Sequence, residues 1–255
     1  MKYLSLTILL ISILFSCSED IDDNISPTYT VQFNFTHHWN ETLVTPDNFQ
    51  NLELTNQNGE VLNIQRFRYL LSKISLVNVV NNDTYTFDGY KFTDLENEDS
   101  YNFTSLSNSI PSGVYNVSLI WGFNEEENID GIYPDLNSAS WNWPAMLGGG
   151  YHFLQFDGMY DVNTNSPKPF NYHYGTARVE ENVFEQNFAT ITINQDIAIS
   201  NNTIIEIQLD IAELFKNPNT WDLNVYDTPL MPNYEAQKMM QQNVSSAFNL
   251  GEITQ

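Results

Sequence analysis

Two histidines and two tryptophans lie close together between residues 131 and 175, and they are the side chains of this chain best suited to chemistry. The histidines are His152 and His173, and the tryptophans are Trp141 and Trp143. They stand out because the whole chain has only 4 His and 5 Trp. Imidazole is the commonest metal-binding side chain and titrates near neutral pH. Because it suits zinc, copper, iron and nickel alike, the residue type predicts a metal site without naming the metal.

Alternation along the strands indicates which histidines point into the protein, since residues two apart share a face of a strand. It predicts that His37, His152 and His173 point inward and that His38 faces solvent. The apolar neighbours that set these faces are Val31, Phe33 and Phe35 for His37, Leu154 and Phe156 for His152, and Ala177 and Val179 for His173. Each histidine alone could be a core residue whose ring nitrogens bond nearby groups. Taken together, the three favour a shared site, in which His173 pairs with the distant His37 and His152 is a further member.

The loop that carries Trp141 and Trp143 is rich in Gly and Pro, and it predicts partly exposed tryptophans. Such rings could stack on a sugar, close as a lid or stand beside a metal. A cluster of acidic residues precedes them, and it includes Asp130 and Asp135. A solvated loop explains such a cluster, and a calcium site at Asp130 and Asp135 is the alternative.

Motifs of catalysis are absent from the sequence. It contains no HExxH, no CxxC, no GxSxG and no glycine-rich phosphate loop. We therefore expect a binding protein and not an enzyme.

The elements that must position these residues are strands. Apolar and polar residues alternate over many short segments, as at residues 31–36, 189–194 and 205–211, and Gly, Pro and Asn separate the segments. This pattern predicts an all-β fold, an antiparallel β-sandwich with long loops. Helical spacing of apolar residues predicts a short turn over residues 211–216 and a C-terminal helix over residues 233–250 that packs on the sandwich.

The N-terminus predicts export and lipidation. Lys2 precedes a short apolar run from Leu4 to Phe15, which is typical of a signal peptide over residues 1–16. The segment that ends at Cys17 resembles a bacterial lipobox, and Cys17 is the only cysteine. We expect lipidation at Cys17, a flexible acidic tether over residues 17–28 and one domain over residues 29–255. The protein would then be a lipoprotein of the cell envelope, anchored in the outer membrane and either periplasmic or surface-exposed.

The net charge of the chain limits the kinds of molecule that it can bind. The formal net charge is −23, which disfavours nucleic acid and anionic lipid head groups. Cations or a basic protein would suit this surface better.

Motifs spread over nearly the whole mature chain resemble one family, the MbnP-like copper-binding proteins, in a lipoprotein form typical of Bacteroidetes-like bacteria. The segments that carry the resemblance are Phe33–His37, Arg66–Leu76, Asp135–Asn137, Trp141–Trp143, Gly150–Phe153, Phe156–Gly158, Phe170–Gly175 and Met231–Phe248. An insertion at residues 144–149 departs from the family pattern.

The resemblance implies a β-sandwich that binds copper, with His37 and His173 as the first candidate ligands. It also implies that Trp143 or Trp141 is a third contact or is oxidised to kynurenine. A separate di-haem protein related to cytochrome c peroxidases would be a partner. A ligating histidine should donate its second ring N–H to a carboxylate or carbonyl, and Asp157 and the tyrosines beside His173 are available for this.

Two functions therefore remain. The first is copper acquisition, storage or handling by a non-catalytic lipoprotein. The second is a cell-surface module that binds glycan or protein through exposed Trp and Tyr.

Overall fold

Alternating apolar side chains place most of the chain in strands. The computed structural model describes residues 27–105 and 107–255. The predicted signal peptide, Cys17 and the predicted tether up to residue 26 lie outside the described residues.

The strands form two large sheets and one hairpin. The first sheet contains β1 (Thr28–Trp39), β2 (Thr42–Val44), β7 (Asn102–Phe103), β8 (Ser109–Pro111), β15 (Thr203–Asp210) and β16 (Phe248–Thr254). The second contains β3 (Leu54–Thr55), β4 (Val61–Asn78), β5 (Thr84–Thr86), β6 (Tyr90–Asp94), β9 (Gly113–Trp121), β10 (Leu154–Tyr160), β11 (Lys168–Tyr174) and β14 (Ala189–Ile199). The hairpin pairs β12 (Ala177–Glu180) with β13 (Val183–Glu185).

The inward faces of the two sheets meet in one hydrophobic core, which confirms the predicted all-β sandwich. In the first sheet, Phe33 and Phe35 of β1 are fully buried, as the alternation predicts. In the second, Phe67 and Tyr69 of β4 are buried opposite them. Within the described residues, every strand pair is antiparallel except one, in which β1 runs parallel to β15.

Helices are short. The α-helices are α1 (Pro134–Ser138) and α2 (Tyr234–Asn243), and 3-10 helices occupy Phe49–Asn51, Glu98–Tyr101, Ala145–Leu147, Ile211–Phe215 and Val244–Ser246. The short turn predicted at residues 211–216 is present. The predicted C-terminal helix is too long, because α2 ends at Asn243 and Phe248 begins β16. No helix within the described ranges is long and apolar enough to cross a membrane.

One feature of the second sheet positions the site. Its order β11-β10-β4 places three strands side by side, with their inner face in the core. Their outer face lies under the loop that joins β9 to β10. This loop carries both tryptophans of interest and His152.

Candidate metal centre

The outer face of β4, β10 and β11 is polar, although the inner face is aromatic. Gln155 of β10 lies opposite both Arg68 and His173, and Asp157 lies opposite Arg66 and Asn171. Residues that pair directly across strands share a face. The polar set is therefore Arg66, Arg68, Gln155, Asp157, Asn171 and His173. A polar face beneath a loop is a suitable place for a binding site.

Asp157 holds His173 in one orientation. His173 Nε2 lies 2.8 Å from Asp157 Oδ1, and Asn171 Nδ2 donates to the same oxygen at 2.5 Å. Arg66 pairs with the second oxygen. Burial raises the pKa of Asp157, but the bonds from His173 and Asn171 and the charge of Arg66 outweigh it, so the pKa falls to about 2. An ionised carboxylate only accepts hydrogen bonds. His173 Nε2 therefore carries a proton, so in the neutral ring the lone pair is on Nδ1.

The Trp141 backbone holds His152 in the same way. His152 Nδ1 lies 3.1 Å from the Trp141 carbonyl oxygen, which can only accept. Nδ1 is thus the protonated nitrogen, and Nε2 has the lone pair. Burial, followed by the charge of His173, lowers the pKa of His152 to about 3, although the bond to Trp141 acts in the opposite direction. His152 is therefore neutral at physiological pH, which is the form that binds metals.

The two imidazoles are neighbours. Their ring centroids lie 5.4 Å apart, and the rings are nearly perpendicular. A metal about 2 Å from a nitrogen of each ring places the two ring centres about 5 Å apart. The ring separation of His152 and His173 matches this spacing, and the second nitrogen of each ring makes no hydrogen bond within the described residues. The residues present therefore fit copper, for which neutral imidazole is a suitable ligand.

Trp141 and Trp143 surround His152. The Trp143 ring lies 4.9 Å from the His152 ring, and the Trp141 ring lies 5.5 Å from it. The prediction that these tryptophans are partly exposed is wrong, because Trp141 is 0% and Trp143 1% exposed. The glycan-binding alternative loses the support of these two tryptophans. Both rings instead shield His152 from solvent.

The loop between β9 and β10 can fold back over the sheet because its glycines allow close contacts that a side chain would block. Gly148, Gly149 and Gly150 all have positive φ, which glycine adopts without steric cost. The Gly150 N–H donates to Asp130 Oδ1 at 2.7 Å, and a side chain at Gly149 would meet the same carboxylate. The inserted residues 144–149 contain the 3-10 turn Ala145–Leu147, and the Leu147 carbonyl accepts from Trp143 Nε1 at 3.1 Å. The insertion thus anchors Trp143 beside His152.

The two tryptophans differ in their electrostatic surroundings. The Arg68 guanidinium carbon lies 5.4 Å from the Trp141 ring centre. Trp141 Nε1 and Arg68 Nε are buried and have no hydrogen-bond partner in the described residues. Trp143 packs against the backbone at Gly175, where an added Cβ would lie 2.6 Å from its ring. The positive charge of Arg68 therefore lies beside the Trp141 ring, whereas the uncharged backbone at Gly175 lies beside the Trp143 ring.

His37 does not belong to this site, which corrects the predicted pairing with His173. It is 1% exposed, and its ring packs on Phe67, Tyr69 and Tyr101 in the core. Phe67 and Tyr69 lie on the inner face of β4, whereas His173 lies on the outer face of the same sheet. The sheet separates the two histidines. His37 Nε2 lies 3.1 Å from the Tyr69 hydroxyl, and Nδ1 is buried without a partner in the described residues.

The acidic loop does not assemble a cation site. Asp130 accepts from Gly150, and Asp135 accepts from the Tyr90 hydroxyl at 2.5 Å. Within residues 27–105 and 107–255, no three His, Cys, Asp or Glu side chains come together as metal ligands. The calcium alternative at Asp130 and Asp135 therefore has no support in the structure, and a two-histidine site needs a further ligand of another type.

Sequence reasoning named Asp157 as an available partner for His173 but missed the arginines. The tyrosines beside His173 point to the inner face and do not contact its imidazole through their hydroxyls. The missed signal is at Arg66 and Arg68, which alternate with Phe67 and Tyr69. Two of the 9 basic residues of the chain thus lie on one strand face.

The fold defines the class of protein, a β-sandwich, in which two histidines lie together beside the outer face of one sheet. A family model described as MbnP matches residues 28–237. The chain therefore belongs to the MbnP family.

One solved structure shares this fold. The structure of MbnP from Methylosinus trichosporium matches with a TM-score of 0.50 and 12% sequence identity, over 76% of this chain and 79% of that chain. No curated protein sequence matches. At this identity the structural match supports the sandwich fold and not the site.

Proposed function

We propose that this protein binds a copper ion at His152 and His173 and serves in the acquisition, storage or handling of copper without catalysis. The observation that carries the proposal is the pair itself. Its rings lie 5.4 Å apart, and the Trp141 carbonyl and Asp157 each fix one protonated nitrogen. Membership of a family associated with copper-handling systems supports copper over the other metals that imidazole binds.

The chain's own residues prepare the site in three ways. Asp157 orients His173 and stays ionised, while burial keeps His152 neutral. His152 Nε2 and His173 Nδ1 would hold the copper, which is cargo and not a catalyst here. The two buried tryptophans exclude water from one side of the pair. Orienting partners of this kind change metal affinity about 10- to 100-fold.

Between the two tryptophans, we favour Trp143 as the third contact or the oxidised residue. The Arg68 cation near the Trp141 face stabilises the neutral ring and opposes the loss of an electron from it. The Trp143 ring is also the nearer of the two to His152. A separate di-haem peroxidase-like protein would supply the oxidant. Mass spectrometry of the peptide that contains both rings, from protein purified from its native source, tests this choice.

We also propose that the protein is a cell-envelope lipoprotein anchored through Cys17. The N-terminal sequence supports this, and the acidic segment after Cys17 favours surface exposure. Cys17→Ser should abolish incorporation of labelled fatty acid and release the protein from the membrane fraction. Unchanged labelling would refute the anchor.

Metal analysis tests the copper proposal. The domain without its signal peptide should bind one copper, and His152→Ala and His173→Ala should each weaken binding by about 100-fold or more, since each removes a ligand. His38→Ala is the matched control, because His38 is half-buried on β1 and bonds Thr36. Equal copper binding by the wild type and both site variants would refute the proposal.

A further inference from the structure

A pocket of about 460 Å³ opens beside His173. Its walls come from four places in the chain: the inserted loop after Trp143, the outer face of β11, Arg178 of β12, and residues 228–232. His152 does not line it. The pocket therefore reaches the histidine pair from the side of His173 alone.

Two methionines line this pocket together with His173. They are Met146 on the inserted loop and Met231 on the facing segment. Met146 is 77% exposed, so burial of apolar surface does not explain it. Met240, by contrast, is fully buried in the core. Two thioethers and an imidazole around one pocket form a soft ligand set.

The charges around the pocket also select the ion. None of its lining residues is Asp or Glu, so hard cations that prefer carboxylate oxygens find no ligand among them. Arg178 lines the pocket as well, and its positive charge repels a divalent ion about twice as strongly as a monovalent one. A soft monovalent ion fits both conditions.

One wall of the pocket is held in place by a buried glutamine. Gln237 of α2 donates to the His173 carbonyl at 2.7 Å and to the Leu230 carbonyl at 3.3 Å. This ties the strand that carries His173 to the segment that carries Met231. The segments that carry His173 and Met231 are thereby held together, and Met146 lines the pocket from the inserted loop.

We propose that this pocket is an entry site where Met146, Met231 and His173 bind a cuprous ion before it passes to the His152–His173 pair. His173 is common to both positions, so the ion can move between them without leaving its imidazole. No change of oxidation state is involved. The proposal rests on the copper function proposed above, and it adds the route and the oxidation state of the incoming metal.

Silver(I), a redox-inert ion with the same preference for thioethers, tests the entry site directly. We would label the methionine methyl groups of the domain with ¹³C and titrate with silver(I). The methyl signals of Met146 and Met231 should shift together and saturate at one equivalent. Those of Met159, Met239 and Met240 should stay in place. Assignment follows from Met→Leu variants, which keep the side-chain volume.

Loading kinetics then test the route. A Met146→Leu/Met231→Leu double variant should load copper(I) onto the histidine pair about tenfold more slowly, with the equilibrium affinity of the pair unchanged. Met239→Leu is the matched control, because Met239 packs on the core from α2.

The outcomes separate the two proposals. If the pair binds copper but the two methyl signals do not move, or the double variant loads at the wild-type rate, the entry site is wrong and the copper function stands. If copper binding does not depend on His152, both the copper function and the entry role fail, even where silver(I) shifts the methyl signals.

Discussion

His37 should make the protein sensitive to mild acid, and His37→Phe should reduce that sensitivity. Burial, followed by the charge of His38, lowers the pKa of His37 from 6.5 to about 3. The unfolded chain therefore binds a proton that the folded chain does not. The stability that the neutral ring contributes is fully present above pH 6.5 and is lost as the pH falls toward 3. Between pH 7 and pH 5 the loss from this one residue is about 2 kcal/mol in the free energy of unfolding.

Urea unfolding of the copper-free domain at pH 7, 6 and 5 measures this effect. At pH 7 the variant should be less stable than wild type by about 1–3 kcal/mol, because the buried Tyr69 hydroxyl loses its hydrogen bond to His37. The deficit should shrink by about 2 kcal/mol at pH 5. Tyr69→Phe is the matched control, since it removes the same bond and leaves His37 to titrate, so its deficit should not depend on pH.

Two results would refute the reasoning about His37. One is a His37→Phe deficit that stays constant from pH 7 to pH 5, which would mean that His37 is not a buried neutral imidazole. The other is loss of copper binding in a folded His37→Phe variant, which would return His37 to the metal site. The structure predicts unchanged copper affinity.

Three further outcomes follow from the outer face of the sheet. Asp157→Asn should weaken copper binding about 10- to 100-fold in competition with a chelator, because Asn cannot hold His173 as a carboxylate does, and unchanged affinity would contradict the assigned role. Because the pKa of Asp157 is lowered, its carboxylate stabilises the fold above pH 3.8, and this stabilisation is lost as the pH falls to about 2. Over this range the free energy of unfolding should fall by about 1–2 kcal/mol more in wild type than in Asp157→Asn. Parallel acid-unfolding curves for the two proteins would contradict this prediction. Gly175→Ala should lower the free energy of unfolding by about 1–3 kcal/mol and alter near-UV circular dichroism, because the added Cβ would lie 2.6 Å from the Trp143 ring. An unchanged melting temperature and spectrum would contradict this packing.

Alternation alone predicted most of the fold, because each sheet has one apolar face. The series from Val31 to His37 is buried at every second residue, as expected for a strand with one side in the core. The error at the C-terminus has a physical cause. Phe248 has helical spacing from Val244, but it pairs with Leu209 in the first sheet, and tertiary pairing outweighs local spacing.

The site was harder to predict, because alternation holds only within an unbroken strand. Unbroken alternation places His173 on the inward face with Ala177, but Gly175 and Thr176 separate β11 from β12 and break the series. Within β11, Tyr172 and Tyr174 point inward and His173 points outward. His152 lies before β10 begins, so the strand pattern does not apply to it. Its position depends on the fold-back of the loop, which no local pattern encodes.

The parallel pairing of β1 with β15 has a consequence for how the chain must fold. Thr30 at the start of the domain donates to Asn202, across 172 residues of sequence. The first strand to be synthesised thus waits for its main neighbour, β15, until the intervening part of the chain has followed it. Such long-range topology folds slowly. A formal charge of −23 would keep the waiting chains apart, so the acidity of this protein would serve its folding as much as its final surface.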